Sequence, residues 1–296
     1  MKVIIFGASG YIGLPLANAL VRNGHIVYGV SRSKDNAPKM RANEIIPLLG
    51  DADSTDEWKD HLKDADVVID CTAGMDTSGP AMLKAVESLT GTVRKPGTPK
   101  LAYIYCSGIW VHGDDRKGFT FESGSTERAP SAIAWRPQLE QDVVSNQVLK
   151  GIVIRVGLCY GRGGSLISLL FSQGDSGSIS WFGTPGGSYS LVHVDDVAEC
   201  FLLAAEKNNL VGGLILDATN EITESVDGIL HAFSSLVGIP WNKVSYRPCA
   251  NILEEAMSIT IRARPSLART LLGWQPRKPG LIDGMAIYYE AYKNSS

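Results

Sequence analysis

The stretch IIFGASGYIG places Gly7, Gly10 and Gly13 directly after an apolar run and directly before a helical pattern. Glycines spaced G-x-x-G-x-x-G in that setting have one specific use, which is to hold a pyrophosphate. Gly7 allows the tight turn, Gly10 lets backbone approach the diphosphate, and Gly13 lets the helix pack close to the strand. Free N–H groups and the positive dipole end of the helix then face the negative charge. The spacing alone is a weak signal; the strand–turn–helix context makes it a strong one. Ser9, Tyr11 and Ile12, set among the glycines, join the same group of cofactor contacts.

A dinucleotide held there has its adenosine ribose read at the end of the second strand. An acidic residue at that point accepts from a 2′-hydroxyl. This chain has Ser31, Arg32 and Ser33 instead, and the nearest acid is Asp35. A guanidinium forms paired bonds to a 2′-phosphate, and flanking hydroxyls add to them. The expected cofactor is therefore NADP(H), with NAD(H) as the alternative. Other chemistries have less to stand on. The five histidines show no H-x-x-x-H pattern, so a metal site is not expected. The five cysteines are dispersed without a C-x-x-C, which fits reduced thiols in a cytoplasmic protein. A net charge of −3 gives no reason to expect a nucleic-acid or anionic-membrane partner. No segment approaches ~18 uninterrupted apolar residues, so no membrane span is expected. The first apolar run is short and ends at a glycine turn, and reads as a strand rather than a signal peptide.

The elements that must position these residues follow from periodicity. Apolar runs at 2–6, 25–31, 44–49, 66–71, 100–107 and 151–157 read as strands, and helical patterns fall between them, at 11–24 and 80–88 among others. Such alternation predicts βαβ units in a parallel sheet, and runs apolar on both faces predict helices covering each side. The expected fold is α/β: a Rossmann doubly wound parallel sheet with a smaller, discontinuous C-terminal substrate lobe. Residues 1–160 form the nucleotide domain, with 191–219 returning to it; 161–190 and 220–296 form the lobe. Within the lobe, SWFGTPGGSYS joins Trp181, Phe182 and Tyr189 with glycines, which suits either a small, partly apolar ligand or packing. Trp110 and Trp135 are further substrate candidates, with packing the stronger expectation for Trp135, whose indole N–H can hydrogen-bond but cannot transfer a proton.

Taken together, these segments resemble the extended short-chain dehydrogenase/reductase family, the epimerase–dehydratase group, over nearly the whole chain. GASGYIG resembles its cofactor turn. GDADS resembles the family's third-strand Gly-Asp, which implies a contact of Asp51 with the adenine edge. DCTAG is similar to the fourth-strand end, implying that Cys71, Thr72 and Ala73 line the cofactor. RVGLCYGRGG (155–164) resembles a further signature, with Val156 in place of its proline, and LVHVDDVAECFLLAAE and ARTLLGWQPR resemble two late ones.

The family's catalytic residues match less well. Its fifth strand ends in a Ser/Thr pair and Val-Tyr-Gly; this chain reads YCSGIWVHG, with Ser107 near the hydroxyl position and His112 in place of the tyrosine. Its Tyr-x-x-x-Lys, anchored here on Glu140, becomes Ala132 and Arg136, and residues 129–150 contain no tyrosine in any register. Arg136 keeps the charge that holds the nicotinamide ribose, but the phenol is gone. Reduction of a carbonyl still needs a proton donor at the forming alkoxide. The candidates are Ser107 as a relay, His112, which titrates near neutrality, and Tyr160. Asp195 and Asp196 are adjacent on a helix and face apart, so paired acid/base work is not expected of them. The resemblance thus implies an atypical NADP(H)-dependent oxidoreductase acting on a small carbonyl or hydroxyl compound. The alternatives are an epimerase or isomerase with no net redox change, and a non-catalytic dinucleotide-binding sensor or scaffold. A monomer or a homodimer is expected. The family's dimer helices correspond to residues near 80–90 and 131–148, and Pro137 falls within the second.

Overall fold

The computed structural model describes residues 1–72, 74 and 78–295, the side chain of Ser78 excepted. Six apolar runs form β1 (Lys2–Phe6), β2 (Ile26–Ser31), β3 (Ile46–Leu49), β4 (Val67–Asp70), β5 (Ala102–Gly108) and β6 (Lys150–Val156). A seventh strand, Ile215–Ala218, completes one sheet in the order β3-β2-β1-β4-β5-β6 and then Ile215–Ala218. Every neighbouring pair is parallel, as the two-faced apolar runs require. Strand order reverses between β1 and β4, and in such sheets a crevice for ligands opens at the carboxyl ends of the strands there.

Alternate residues of each strand serve different layers. Val3, Ile5, Val67 and Ile69 pack with Leu16, Ala17 and Leu20 of α1 (Gly13–Arg22). Ile4, Phe6, Val68 and Tyr103 pack on the opposite side, toward α3 (Ser78–Val93) and α4 (Arg136–Val144); α2 (Ala37–Arg41) covers the β3 edge. Gly29 keeps β2 close to its cover, since a Cβ there would lie 2.7 Å from Met40 Sδ. The helix expected at 80–88 is longer. Its weak helix formers after Ser88 are held by tertiary contacts, with Thr90 buried and Arg94 donating to the carbonyls of Leu62 and Ala65. Pro137 sits in the first turn of α4, where its missing N–H has no intrahelical partner to lose, so it does not interrupt the helix.

The lobe has its own core, built from residues 158–191 and 226–289 around Phe171, Trp181 and Phe233. One C-terminal stretch departs from the expected division. Ala268, Leu272 and Trp274 pack with α1 and the Val194–Glu206 helix, and Trp274 Nε1 donates to Asp196 O. Among the described residues, no helix is long and apolar enough to cross a membrane, and the five cysteines are free thiols.

Candidate functional site: a cleft at the strand-order reversal

The glycine turn fits a pyrophosphate cradle by its own geometry. Gly7 has φ +78°, and a Cβ on Gly13 would lie 2.1 Å from Gly7 O, so neither position accepts a side chain. Gly10 N donates to Gly7 O (3.0 Å) and Leu14 N to Gly10 O (3.0 Å), closing the turn onto α1. The first turn of a helix leaves N–H groups without intrahelical partners, and here that turn lies beside the cleft lined by Tyr11 and Ile12. The Tyr11 hydroxyl donates to Gly161 O (2.9 Å), tying the turn to the chain entering the lobe, and burial pushes its phenol pKa up. Ser9, half-buried, sits between the first two glycines.

At the end of β2, Arg32 is exposed while Ser31 is buried. Ser31 Oγ donates to Ser33 O (3.2 Å) and accepts from Asn36 Nδ2 (2.8 Å), so it shapes the bend that presents Arg32. Ser33 in turn accepts from Asp35 N (3.2 Å). Asp51 Oδ1 accepts from the N–H groups of Asp53 and Ser54 (3.0 and 2.8 Å), folding its own loop beyond β3. At the end of β4, Thr72 donates through N and Oγ1 to Asp70 Oδ1 (2.9 and 2.6 Å), and Tyr103 donates to Asp70 Oδ2 (2.9 Å). Asp70 is fully buried, and that burial pushes its pKa up against these bonds. The Cys71 thiol lies against Cys106; that contact, then burial, push its pKa well up and keep it protonated. Ala73 lies outside the described residues.

A cavity of about 370 Å³ lies where these loops meet β5 and β6, and Ser107 and Arg136 both line it. Ser107 Oγ donates to Glu140 Oε1 at 2.5 Å. Glu140 is wholly buried and is gripped by Arg155, whose Nε lies 3.1 and 3.0 Å from its two oxygens and Nη2 2.7 Å from Oε2. With its proton directed to Glu140, Ser107 is left as an acceptor toward a ligand. Arg136 donates to Tyr105 OH (3.1 Å) and to Gly74 O, and its guanidinium carbon lies 5.0 Å from the Trp135 ring centroid. Tyr105 stands behind Arg136 rather than in the cleft; burial pushes its phenol pKa up, and the charge of Arg136 opposes this.

The remaining candidates are placed elsewhere. His112 is buried beneath the site, with Nε2 3.4 Å from Arg155 Nη1 and 3.6 Å from Asp217 Oδ2, and does not line the cleft. Tyr160 belongs to the lobe core; its hydroxyl donates to Pro279 O (2.7 Å) and accepts from Asn220 (3.0 Å), so it has no proton to offer a substrate. Trp181 and Phe182 stack at 4.3 Å in that same core, and Trp181 Nε1 donates to Tyr189 OH (3.2 Å). Burial there pushes the Tyr189 phenol up to about 12. These three aromatics pack the lobe and do not line the cleft. Trp110 does line it, whereas Trp135 packs against Arg136. Asp195 pairs with Arg162 (2.7 Å) and with Lys278 Nζ (3.2 Å), and Asp196 accepts from the N–H groups of Arg277 and Lys278 (3.0 and 3.1 Å); both carboxylates are thus engaged by the chain, and neither lines the cleft. Sequence reasoning missed the aliphatic wall of the cleft, including Ile133 and Leu253, because its members come from segments far apart in the chain. The only local signal was their apolar character.

A glycine turn that accepts no side chain at Gly7 or Gly13, an exposed arginine after β2 and a cleft at the strand reversal define a dinucleotide-binding Rossmann protein. The chain belongs to the NAD(P)H-binding family, whose model matches residues 7–159. An uncharacterized protein of Schizosaccharomyces pombe is 24% identical, the alignment covering 97% of this chain and 98% of that one. A sterol-4-alpha-carboxylate 3-dehydrogenase (decarboxylating) of Dictyostelium discoideum is 23% identical over 70% of this chain and 68% of its own. The crystal structure of human epimerase family protein SDR39U1 with NADPH superimposes with a TM-score of 0.73 at 17% identity, covering 99% and 100% of the two chains.

Proposed function

We propose that the protein is an NADP(H)-dependent oxidoreductase acting on a small carbonyl or hydroxyl compound. The observation that carries this reading is that Ser107 and Arg136 line the same cleft as Tyr11 and Ile12 of the glycine turn. The nicotinamide, when bound, supplies or accepts the hydride. Gly7, Gly10, Gly13 and the start of α1 would hold its diphosphate, and exposed Arg32 the 2′-phosphate. Arg136 would hold the nicotinamide ribose with a charge fixed by its bonds to Tyr105 and Gly74. Ser107 would accept the hydrogen of a substrate hydroxyl while passing its own to Glu140 Oε1, 2.5 Å away, and return it in reduction. The dehydrogenase named among the relatives and the NADPH in the human structure support this reading. That same human protein is named an epimerase family member, which supports the second reading, a reaction with no net redox change.

The test is transfer of deuterium from NADPH labelled at C4 to a panel of aldehydes and ketones. Label is expected on the product carbon, in amounts that fall at least tenfold in Ser107→Ala. Tight NADPH binding with no transfer to any compound would count against the oxidoreductase. Exchange of label into a substrate without net cofactor consumption would favour the epimerase.

A further inference from the structure

The outer end of the cleft is built almost wholly of hydrocarbon. Ile109 and Trp110 come from the turn after β5, Ile133 from the turn before α4, and Leu158 from the strand entering the lobe. Leu253, on the lobe helix Ile252–Ser258, closes the far side, and Leu166 stands at the rim, 37% exposed. The polar side chains of the described lining are Ser107 and Arg136, the Tyr11 phenol, whose hydroxyl is committed to Gly161 O, and the thiols of Cys106 and Cys159; Arg136 is the one cation among them.

A charged body in that space would lose its hydration with no charge to meet it, which is costly. A hydrocarbon body would exchange water for matching walls, which is favourable. We propose that this end is a subsite for an uncharged apolar alcohol and its aldehyde or ketone, seated with the oxygen toward Ser107 and the body against Trp110 and Leu253. The inference rests on the oxidoreductase reading and adds the substrate class to it.

The experiment is calorimetric titration of the NADPH-loaded protein, and of the protein without cofactor, with cinnamyl alcohol, glycerol and UDP-glucose. The reduced cofactor cannot oxidise an alcohol, so binding is read without turnover. Cinnamyl alcohol is expected to bind at least tenfold more tightly than glycerol or UDP-glucose, with a negative heat-capacity change. Leu253→Glu, and independently Leu166→Glu at the exposed rim, should weaken it at least tenfold and leave NADPH affinity unchanged. Equal affinity for glycerol or UDP-glucose, or no effect of either variant in the folded protein, would overturn the subsite. NADPH binding without cinnamyl alcohol binding sinks the subsite alone. Cinnamyl alcohol binding without NADPH binding sinks the oxidoreductase reading and leaves the apolar subsite standing.

Discussion

In the proposed reaction, Ser107 and Arg136 would divide between them the work of the Tyr-x-x-x-Lys pair that this chain replaces with Ala132 and Arg136. The division follows from their partners. Ser107 is tied to a buried carboxylate, which suits it to move a proton in the proposed reaction, while Arg136 is tied to a phenol and a carbonyl, which suits it to hold a charged or polar group. Ser107→Ala should lower kcat by ~10²–10³-fold, the usual loss for one proton-transfer or oxyanion group, as read by steady-state kinetics. Arg32→Ala should weaken NADPH binding at least tenfold and leave NADH binding unchanged, because a charge-assisted bond contributes ~1.5–3 kcal/mol. Fluorescence titration of the variant checks this. Ser107, Arg136 and the glycines were legible because each lies within a short motif whose spacing carries its geometry. Tyr160 and the Trp181 group were misplaced for the converse reason. The partners that fix Tyr160, Asn220 and Pro279, lie 60 and 119 residues along the chain, and nothing local says which side of the lobe an aromatic faces.

The elements position these side chains through their ends. Gly13→Ala would push a methyl into Gly7 O, so it should lower thermal stability measurably and abolish dinucleotide binding; calorimetry and titration separate the two effects. His193 caps the Val194–Glu206 helix by accepting from Asp195 N at 3.1 Å, which requires an unprotonated Nδ1. Burial holds its pKa below the ordinary ~6.5, with the charge of Asp195 opposing. Because the folded state binds the proton less readily than the unfolded chain, this contribution is complete above ~6.5 and is lost as pH falls below it. The urea midpoint should therefore fall with acidification in that window, and His193→Asn, which caps without titrating there, should flatten the dependence. Strand existence and order were legible from apolar runs alone. Helix lengths were not: Thr90 and Arg94 hold the last turns of α3 by contacts that propensity does not register.

The sheet side and the lobe both line the cleft, the sheet side through Tyr11 and Ser107 and the lobe through Leu166 and Leu253. Glu140 on α4 and Arg155 on β6 lock the helix to the sheet behind Ser107, and Ala268–Trp274 returns from the lobe to pack on α1's side. Breaking a buried ion pair from one side costs ~3–5 kcal/mol, so Glu140→Ala should lose about that much in equilibrium denaturation, more than Glu140→Gln. The shift of composition after Tyr160 predicted a lobe, and the segment 191–219 a return to the sheet, but the second return, of Ala268–Trp274, was not legible, since that contact spans the length of the chain. The central claim, an NADP(H)-dependent hydride-transfer cleft, is tested most directly by titrating the purified protein with NADPH and NADH side by side, following nicotinamide fluorescence. NADPH binding at least tenfold tighter than NADH is the predicted result. Equal or tighter binding of NADH would contradict the assignment of Arg32, and binding of neither would contradict the account as a whole.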